Sequence, residues 1–379
     1  MKKKLLIVST VSTTLNFFGG QIEFLNNEFD VELVSSPNDQ LYGISQREGV
    51  KAHGVKMMRE ISLLKDLKSL FQLISLFKKV KPDIVHGNTP KGGLLSMVSS
   101  WVARVPHRVY YVHGLRYEGD FGIKRKILMN IERISCYLAT NIISVSHGVK
   151  GNLAKDKITK KDILIIGNGS ANGIDSIEYS RESIEDEGLR GKYNIADSDL
   201  LFGYVGRLVG DKGINELVTV FSELNKTHKH IKLLMVGWYE DLLDPLQEHI
   251  KKEIINNENI IAVGAQQDVR PFLNIMDMFV FPSYREGFGV SIMEAAAMDV
   301  PAICSNISGC NEIILDGHNG MLVSSKSITE LSNAMEYFIN NPDIIKQMKT
   351  VTRPHVLKKY NQETVWKEAL KTYKQISNS

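Results

Sequence analysis

The sequence predicts an α/β chain made of two successive domains, each a parallel, doubly wound sheet. Short apolar runs of strand length alternate with longer stretches of helical periodicity, the pattern left by strands joined through crossover helices. The alternation comes in two sets. A polar stretch at 176–197, rich in Glu and Ser, separates them and reads as a linker with an opening helix. Glycines fall where apolar runs give way to helical patterns, at Gly19-Gly20 and again at Gly287 and Gly289. Such turns are where nucleotide-binding sheets meet their ligands. The chain has 379 residues, room for two domains of ordinary size, expected at 1–175 and 195–357.

In the first set, strands are expected at 4–9, 31–35, 84–87, 108–112, 142–145 and 163–166. The start, Met1-Lys2-Lys3-Lys4 before Leu5-Leu6-Ile7-Val8, mimics a signal peptide. The apolar run breaks at Ser9-Thr10 and stays polar to Asn16, so it is read as a buried strand. The next loop ends in Phe17-Phe18-Gly19-Gly20, and Ile22-Glu23-Phe24-Leu25 opens a helix. A glycine pair there lets a diphosphate or a sugar approach the backbone. It suits a plain tight turn equally well, and the full dinucleotide fingerprint is missing.

Between 59 and 81, Leu63, Leu64, Leu67, Leu70, Phe71, Ile74 and Phe77 recur at helical spacing among Lys65, Lys68, Lys78 and Lys79. The spacing predicts a helix over 61–80. It would either cover the sheet or offer a basic amphipathic surface to a membrane. Residues 121–128, with Lys124-Arg125-Lys126, are a second candidate of the latter kind. Tyr111-Val112-His113-Gly114 closes one strand and so puts His113 at the carboxyl edge of the sheet, where open α/β folds bind ligands. The second set places strands at 201–205, 231–236, 260–263, 278–281, 302–304 and 321–323. A cleft between the two domains is the expected active site.

Composition narrows the class. Apolar residues make up 43% and charged residues 23%, as in ordinary soluble enzymes. Three cysteines, Cys136, Cys304 and Cys310, show no paired spacing. This argues against a disulfide framework and fits a reducing cytoplasm. No Cys/His cluster has zinc spacing, and no run of 18 apolar residues could span a bilayer. The net charge of +3 is unevenly spread: residues 1–176 carry 25 Lys and Arg against 15 Asp and Glu, and the remainder 21 against 28. A basic first half suits an anionic partner, such as a bilayer surface or a diphosphate-linked acceptor. Nucleic acid is not expected, because no aromatic interleaving accompanies the basic residues.

The chemistry is concentrated in 282–297, which reads Pro-Ser-Tyr-Arg-Glu-Gly-Phe-Gly-Val-Ser-Ile-Met-Glu-Ala-Ala-Ala. An apolar strand, a loop holding Gly287, Phe288, Gly289 and Val290, and an alanine-rich helix follow one another. A helix start presents free N–H groups and the positive end of a dipole, both suited to phosphate. Glu286 lies in the loop and Glu294 about two turns into the helix, on the order of 10 Å away. Two carboxylates flanking a phosphate site fit a nucleotide-activated sugar. Upstream, Gly206-Arg207 and Lys212-Gly213 follow another strand. Arg207 offers a planar fork and Lys212 a point charge, and together they could hold two phosphates. No Asp-x-Asp stands in a plausible metal-binding loop, so these cations are expected to replace a metal.

The Glu-x7-Glu pattern led by Glu286-Gly287-Phe288-Gly289, together with Gly206-Arg207 and Lys212-Gly213, resembles the retaining glycosyltransferases of family 4, which have the GT-B fold of two Rossmann-like domains. Asn172-Gly173-Ile174-Asp175 resembles the family's turn into its linker, and Gly309 to Glu312 its Gly-x-x-Glu loop. Asp299 stands where the family usually has Gly. The resemblance implies that Glu286 binds donor sugar hydroxyls, Glu294 the ribose, and His113 the transferred sugar. It implies a last helix, about 358–379, that rejoins the first domain. It also implies transfer with same-face attack, from a UDP-sugar to a lipid-linked saccharide, at the inner face of the cell membrane. The chain looks most like enzymes building capsule or O-antigen repeats, with an N-acetylhexosamine as the sugar. A GT-B-fold UDP-sugar epimerase and a non-catalytic sugar-nucleotide-binding partner are the alternatives.

Overall fold

The structure is a computed structural model and describes residues 2–58, 62–185, 187–240 and 244–379. The expected helix start at Ile61, with Arg59 and Glu60 before it, lies outside the described residues, as does Asp186 in the linker stretch. The chain divides into two units, Met1–Gly173 with Gln362–Ser379, and Ile174–Asn361.

The first unit is laid around β1 (Lys4–Val8), whose Leu5, Leu6, Ile7 and Val8 are no more than 1% exposed. A strand this apolar on both faces belongs at the centre of a parallel sheet covered on each side. It pairs with β2 (Asp30–Ser35) and β4 (Ile84–Asn88), both parallel. β3 (Lys51–Gly54) extends one edge, and β5 (His107–Val112), β6 (Asn141–Ser144) and β7 (Ile163–Ile165) extend the other. The order is β3-β2-β1-β4-β5-β6-β7, so the winding reverses between β1 and β4. The six expected strands are present, with ends moved by a residue or so. β3 was not expected, because Lys51-Ala52-His53-Gly54 has no apolar run. It holds the edge by pairing with β2, aided by His53 Nε2 at 2.6 Å from Glu32 Oε2.

The second unit repeats the plan. Its strands are β8 (Leu200–Val205), β9 (Ile231–Val236), β10 (Ile260–Gly264), β11 (Met278–Phe281), β12 (Ala302–Ser305) and β13 (Gly320–Val323). They run in the order β10-β9-β8-β11-β12-β13, all parallel. Here the reversal falls between β8 and β11. In open α/β sheets the crevice at such a reversal, beyond the carboxyl ends of the strands, is the ligand site. The two loops singled out in the sequence, 206–213 and 282–289, are those that leave β8 and β11.

The helix Leu63–Val80 covers the first sheet with one face. Ser69, Leu73 and Phe77, four residues apart, are buried, and the helix lies on Pro90–Val102. Burying the two apolar side chains is worth about 1.5–3 kcal/mol each. Its other face is apolar as well: Leu64 is 83% exposed and Phe71 68%, with Leu67, Lys65 and Lys68 also exposed. The helix Gly122–Leu138 has the same character, burying Leu128 and Cys136 while exposing Ile123, Ile127, Ile134 and Tyr137. Among the described residues no helix is long and apolar enough to cross a membrane. The final helix, Gln362–Asn378, belongs to the first unit, where Trp366 lies against Gly20 and Tyr373 against His86.

Candidate active site

In the second unit, the loops leaving β8 and β11 are built as one piece. Gly213 takes a left-handed turn (φ 73°), and a Cβ there would run into the carbonyl of Pro282. Only glycine lets the two loops approach this closely. Tyr284 N donates to Asp211 O at 2.8 Å, and Arg285 Nη2 pairs with Asp211 Oδ2 at 2.8 Å. This framework brings Lys212 and Glu286 into a direct ion pair, although they are far apart in sequence. Lys212 Nζ also lies over the Phe281 ring, 5.3 Å from its centre. Arg207 pairs with Glu240, just beyond β9. Both cations thus reach the reversal point with a carboxylate in hand. Glu240 escaped the sequence reading, since nothing in Trp238-Tyr239-Glu240 marks it out.

The glycine loop differs from expectation in two details. Its helix is Val290–Ala297, so Glu294 stands four residues in, just over one turn rather than two. Nor are all the loop amides free. Gly289 N donates to Gly309 O at 3.1 Å, and Val290 N to Phe288 O at 2.9 Å. Among the described residues, Gly287, Phe288, Ser291 and Ile292 keep amides without a backbone acceptor. Gly309, in left-handed conformation (φ 76°), backs onto Gly287 and Phe288, which accounts for the Gly-x-x-Glu loop as the support of the glycine loop.

Glu294 has a partner that sequence reasoning missed. Its Oε1 accepts from Tyr179 Oη at 3.0 Å. Burial pushes the carboxyl up to about 7, against the Tyr179 hydrogen bond, which pulls it down. Tyr179 comes from 176–197, read as linker. Among its described residues that stretch holds one 3-10 turn, Arg181–Ser183, and one short α-helix, Leu189–Lys192, where an opening helix was expected. Arg353 fixes it by donating to the carbonyls of Ser176, Tyr179 and Ala297, the last at the end of the Glu294 helix. Among the described residues, no group of three or more His, Cys, Asp or Glu side chains could hold a metal ion.

His113, Gly19 and Gly20 belong to the first unit. His113 follows β5 and is half-buried. Its ring stacks on Tyr111 at 4.5 Å, with Phe18 and Phe17 at 5.7 and 5.9 Å. Its Nε2 lies 2.7 Å from Asn88 Oδ1, and burial lowers the ring to about 4, so the imidazole is neutral. The glycine pair is a structural turn and not a free phosphate cradle. Gly19 N donates to Asn16 O, and Gly20 N to both carboxylate oxygens of Glu48, at 3.1 and 3.0 Å. Glycine is needed at 20 because φ is 73° and a Cβ would strike the Trp366 ring. Glu48 already occupies the place an anion would take.

The profile for "Glycosyl transferases group 1" matches residues 185–355, and that for "Glycosyl transferase 4-like" matches 4–146. The capsular polysaccharide biosynthesis glycosyltransferase CapM of Staphylococcus aureus is 33% identical over 374 residues, 98% of this chain and 97% of its own. The UDP-Gal:α-D-GlcNAc-diphosphoundecaprenol α-1,3-galactosyltransferase of Escherichia coli is 29% identical, covering 83% of this chain and 81% of its own. Among solved structures, Anabaena HepE in complex with UDP and glucose superposes with a TM-score of 0.80 at 16% identity, over 99% of this chain and 100% of that one. That likeness carries the fold. With both halves matched and the CapM similarity running end to end, the chain belongs to the group 1 glycosyltransferases of the GT-B fold and is a glycosyltransferase.

Proposed function

We propose that the protein transfers a sugar, with retention, from a UDP-sugar to a lipid-linked saccharide in the synthesis of a bacterial surface polysaccharide. The observation that carries this is the pair of cations at the reversal of the second sheet. Arg207 and Lys212 are each held by a protein carboxylate, Glu240 and Glu286, in a loop framework with free amides beside it. A nucleoside diphosphate would take over those cations. Charge-assisted hydrogen bonds of this kind are worth about 1.5–3 kcal/mol each. Glu286, released from Lys212, accepts from donor sugar hydroxyls, and Glu294 accepts from the ribose. The names of the capsule and undecaprenol-linked relatives support the acceptor class.

In the reaction, the bond between the anomeric carbon and the β-phosphate oxygen breaks. The acceptor oxygen bonds to that carbon on the same face, and the acceptor proton passes to the departing phosphate oxygen. Arg207, Lys212 and the amides of the glycine loop stabilise the charge that collects on the leaving group. No divalent ion is required: turnover in EDTA should equal turnover in manganese. His113 meets the transferred sugar. The sugar we propose is an N-acetylhexosamine.

The test is incubation with UDP-GalNAc, UDP-GlcNAc, UDP-Gal and UDP-Glc beside an undecaprenyl diphosphate-linked sugar. Transfer of an N-acetylhexosamine is the expected result. Isomerised donor would point to an epimerase, tight UDP-sugar binding without turnover to a non-catalytic partner, and transfer of galactose alone would correct the donor. For the membrane, the exposed apolar faces of Leu63–Val80 and Gly122–Leu138 with their lysines are the proposed contact. Partition onto anionic vesicles should fall between low and high salt. Partition that ignores salt would remove the electrostatic part.

A further inference from the structure

Asn88, the last residue of β4, sits between two histidines. His113 Nε2 is 2.7 Å and His86 Nε2 3.0 Å from its Oδ1, while its Nδ2 donates to Val8 O at 3.3 Å. On the far side of His86, Nδ1 is 2.7 Å from Tyr373 Oη, on the final helix. His86, Asn88 and Tyr373 are no more than 1% exposed. The hydrogens in this chain follow from donor and acceptor counting. The Val8 carbonyl can only accept, so the amide nitrogen of Asn88 faces it and the amide oxygen faces the histidines. An amide oxygen only accepts, so both Nε2 atoms carry hydrogen. A neutral imidazole has one N–H, so His86 Nδ1 is a lone pair, and it receives the Tyr373 hydroxyl. By the same count His113 Nδ1 is a lone pair, and among the described residues it has no hydrogen-bond partner. The next residue, Thr89, holds φ 64° and ψ 153°, a region nearly reserved for glycine. The backbone is thus held under strain where Asn88 is positioned.

We propose that Tyr373, His86 and Asn88 are positioning residues that lock His113 as its Nε2–H tautomer, so that it offers substrate a hydrogen-bond acceptor at Nδ1 and no donor. The role assigned to the acceptor, receiving a hydrogen bond from a sugar hydroxyl, rests on the transferase reading above; the lock itself does not. A locked His113 favours a hydroxyl over a carbonyl or carboxylate at that point of the sugar. Both imidazoles resist protonation: burial holds His86 at about 3, aided by the neighbouring His113, and His113 at about 4.

The experiment is NMR of the full chain labelled with 15N-histidine, with the two rings assigned through His86→Gln and His113→Gln. Wild type should show both rings neutral with the proton on Nε2 at pH 7. In Asn88→Ala the His113 tautomers should mix, and kcat/KM should fall on the order of ten- to a hundredfold, the range for a lost buried hydrogen bond. Asn88→Asp keeps both acceptor contacts but adds a negative charge. It should hold the Nε2–H tautomer, while the acid limb of kcat/KM moves up by about a unit or more. Tyr373→Phe keeps the packing and should release the His86 tautomer and, through Asn88, loosen that of His113 in part, costing a few-fold in kcat/KM. If wild-type His113 carries its proton on Nδ1, or Asn88→Ala leaves its tautomer unchanged, the lock is overturned. A correct set of tautomers in a protein that transfers no sugar would instead overturn the function and leave the lock standing.

Discussion

The two units share one winding and differ in what stands at the reversal of the sheet. Beyond β8 and β11 the second unit gathers charge: Arg207 with Glu240, Lys212 with Glu286, Arg285 with Asp211. Beyond β1, β4 and β5 the first unit gathers neutral groups: Asn88, His86, His113, Tyr111 and two phenylalanines. Neither is a generic ligand edge. Ion pairs that a ligand can break apart suit a diphosphate, since each cation is stabilised before and after binding. A neutral, hydrogen-bonded aromatic cluster suits hydroxyls, which carry no charge to desolvate. The same backbone plan serves both, and the side chains at the strand ends decide the chemistry.

The sharpest test of that division is Glu286→Ala. It should reduce transfer about a thousandfold, at the upper end for a lost transition-state contact. UDP should bind at least as well, because Lys212 is freed. Weaker UDP binding, measured by calorimetry, would mean that Glu286 supports the fold of the loop and does not bind sugar. Next, Arg207→Ala and Lys212→Ala should each weaken UDP binding by about a hundredfold, the loss of a charge-assisted bond, and flatten its salt dependence. His113→Ala, in the neutral region, should leave both UDP affinity and its salt dependence unchanged. If His113→Ala alters the salt slope as much as Lys212→Ala does, the contrast between the regions fails.

Much of this contrast was legible in the sequence, and the gaps have physical causes. The strands that build both reversals are apolar runs, and burial on both faces marks them. Arg207, Lys212 and Glu286 lie in the loops that follow such runs and Glu294 in the helix after the second loop, so local order places them. β3 escaped because an edge strand needs backbone pairing more than apolar side chains. Tyr179, Arg353 and Glu240 escaped because their partners are distant in sequence and each is an ordinary surface type. Why position 20 is glycine was not legible, because Trp366, which packs on it, lies at the other end of the chain. Asn88 did leave a signal. His86 and Asn88 are two apart on a strand that is otherwise apolar, hence on one face, and a buried polar pair must have partners. The expected strand stopped at 87, one residue short of it.

Among the described residues each unit also has one carboxyl raised to about 7, and the two can be told apart. Glu132, on Gly122–Leu138 and 2% exposed, is raised by desolvation and held by Tyr110 Oη at 2.6 Å. Its folded value lies above its unfolded one, near 4.5. Below that lower value both states are protonated and folding is unaffected. Between the two, the unfolded chain ionises while the folded one does not, so stability falls as pH rises. Above about 7 the loss is complete, on the order of 3 kcal/mol. Glu132→Gln should match wild type in urea at pH 4 and exceed it at pH 8. Equal pH slopes for the two proteins would remove Glu132 as the cause.

Glu294 has the same elevated value, yet it stands half-buried at the edge of the site, and among the described residues Tyr179 is its side-chain hydrogen-bond partner. If ribose hydroxyls donate to this carboxyl, they favour its ionised form, and binding must release a proton wherever the free carboxyl still holds one. UDP affinity should therefore rise with pH through about 7 and level off above 8. The gain is tenfold at most per pH unit, and its total is set by how far binding lowers the carboxyl. Glu294→Gln should bind more weakly and have a shallower slope, while Glu132→Gln, on the other unit, should keep it. Calorimetry in buffers of different ionisation enthalpy counts the protons directly. The terminal phosphate of UDP releases protons in both proteins, so equal proton release in wild type and Glu294→Gln would place the ribose elsewhere.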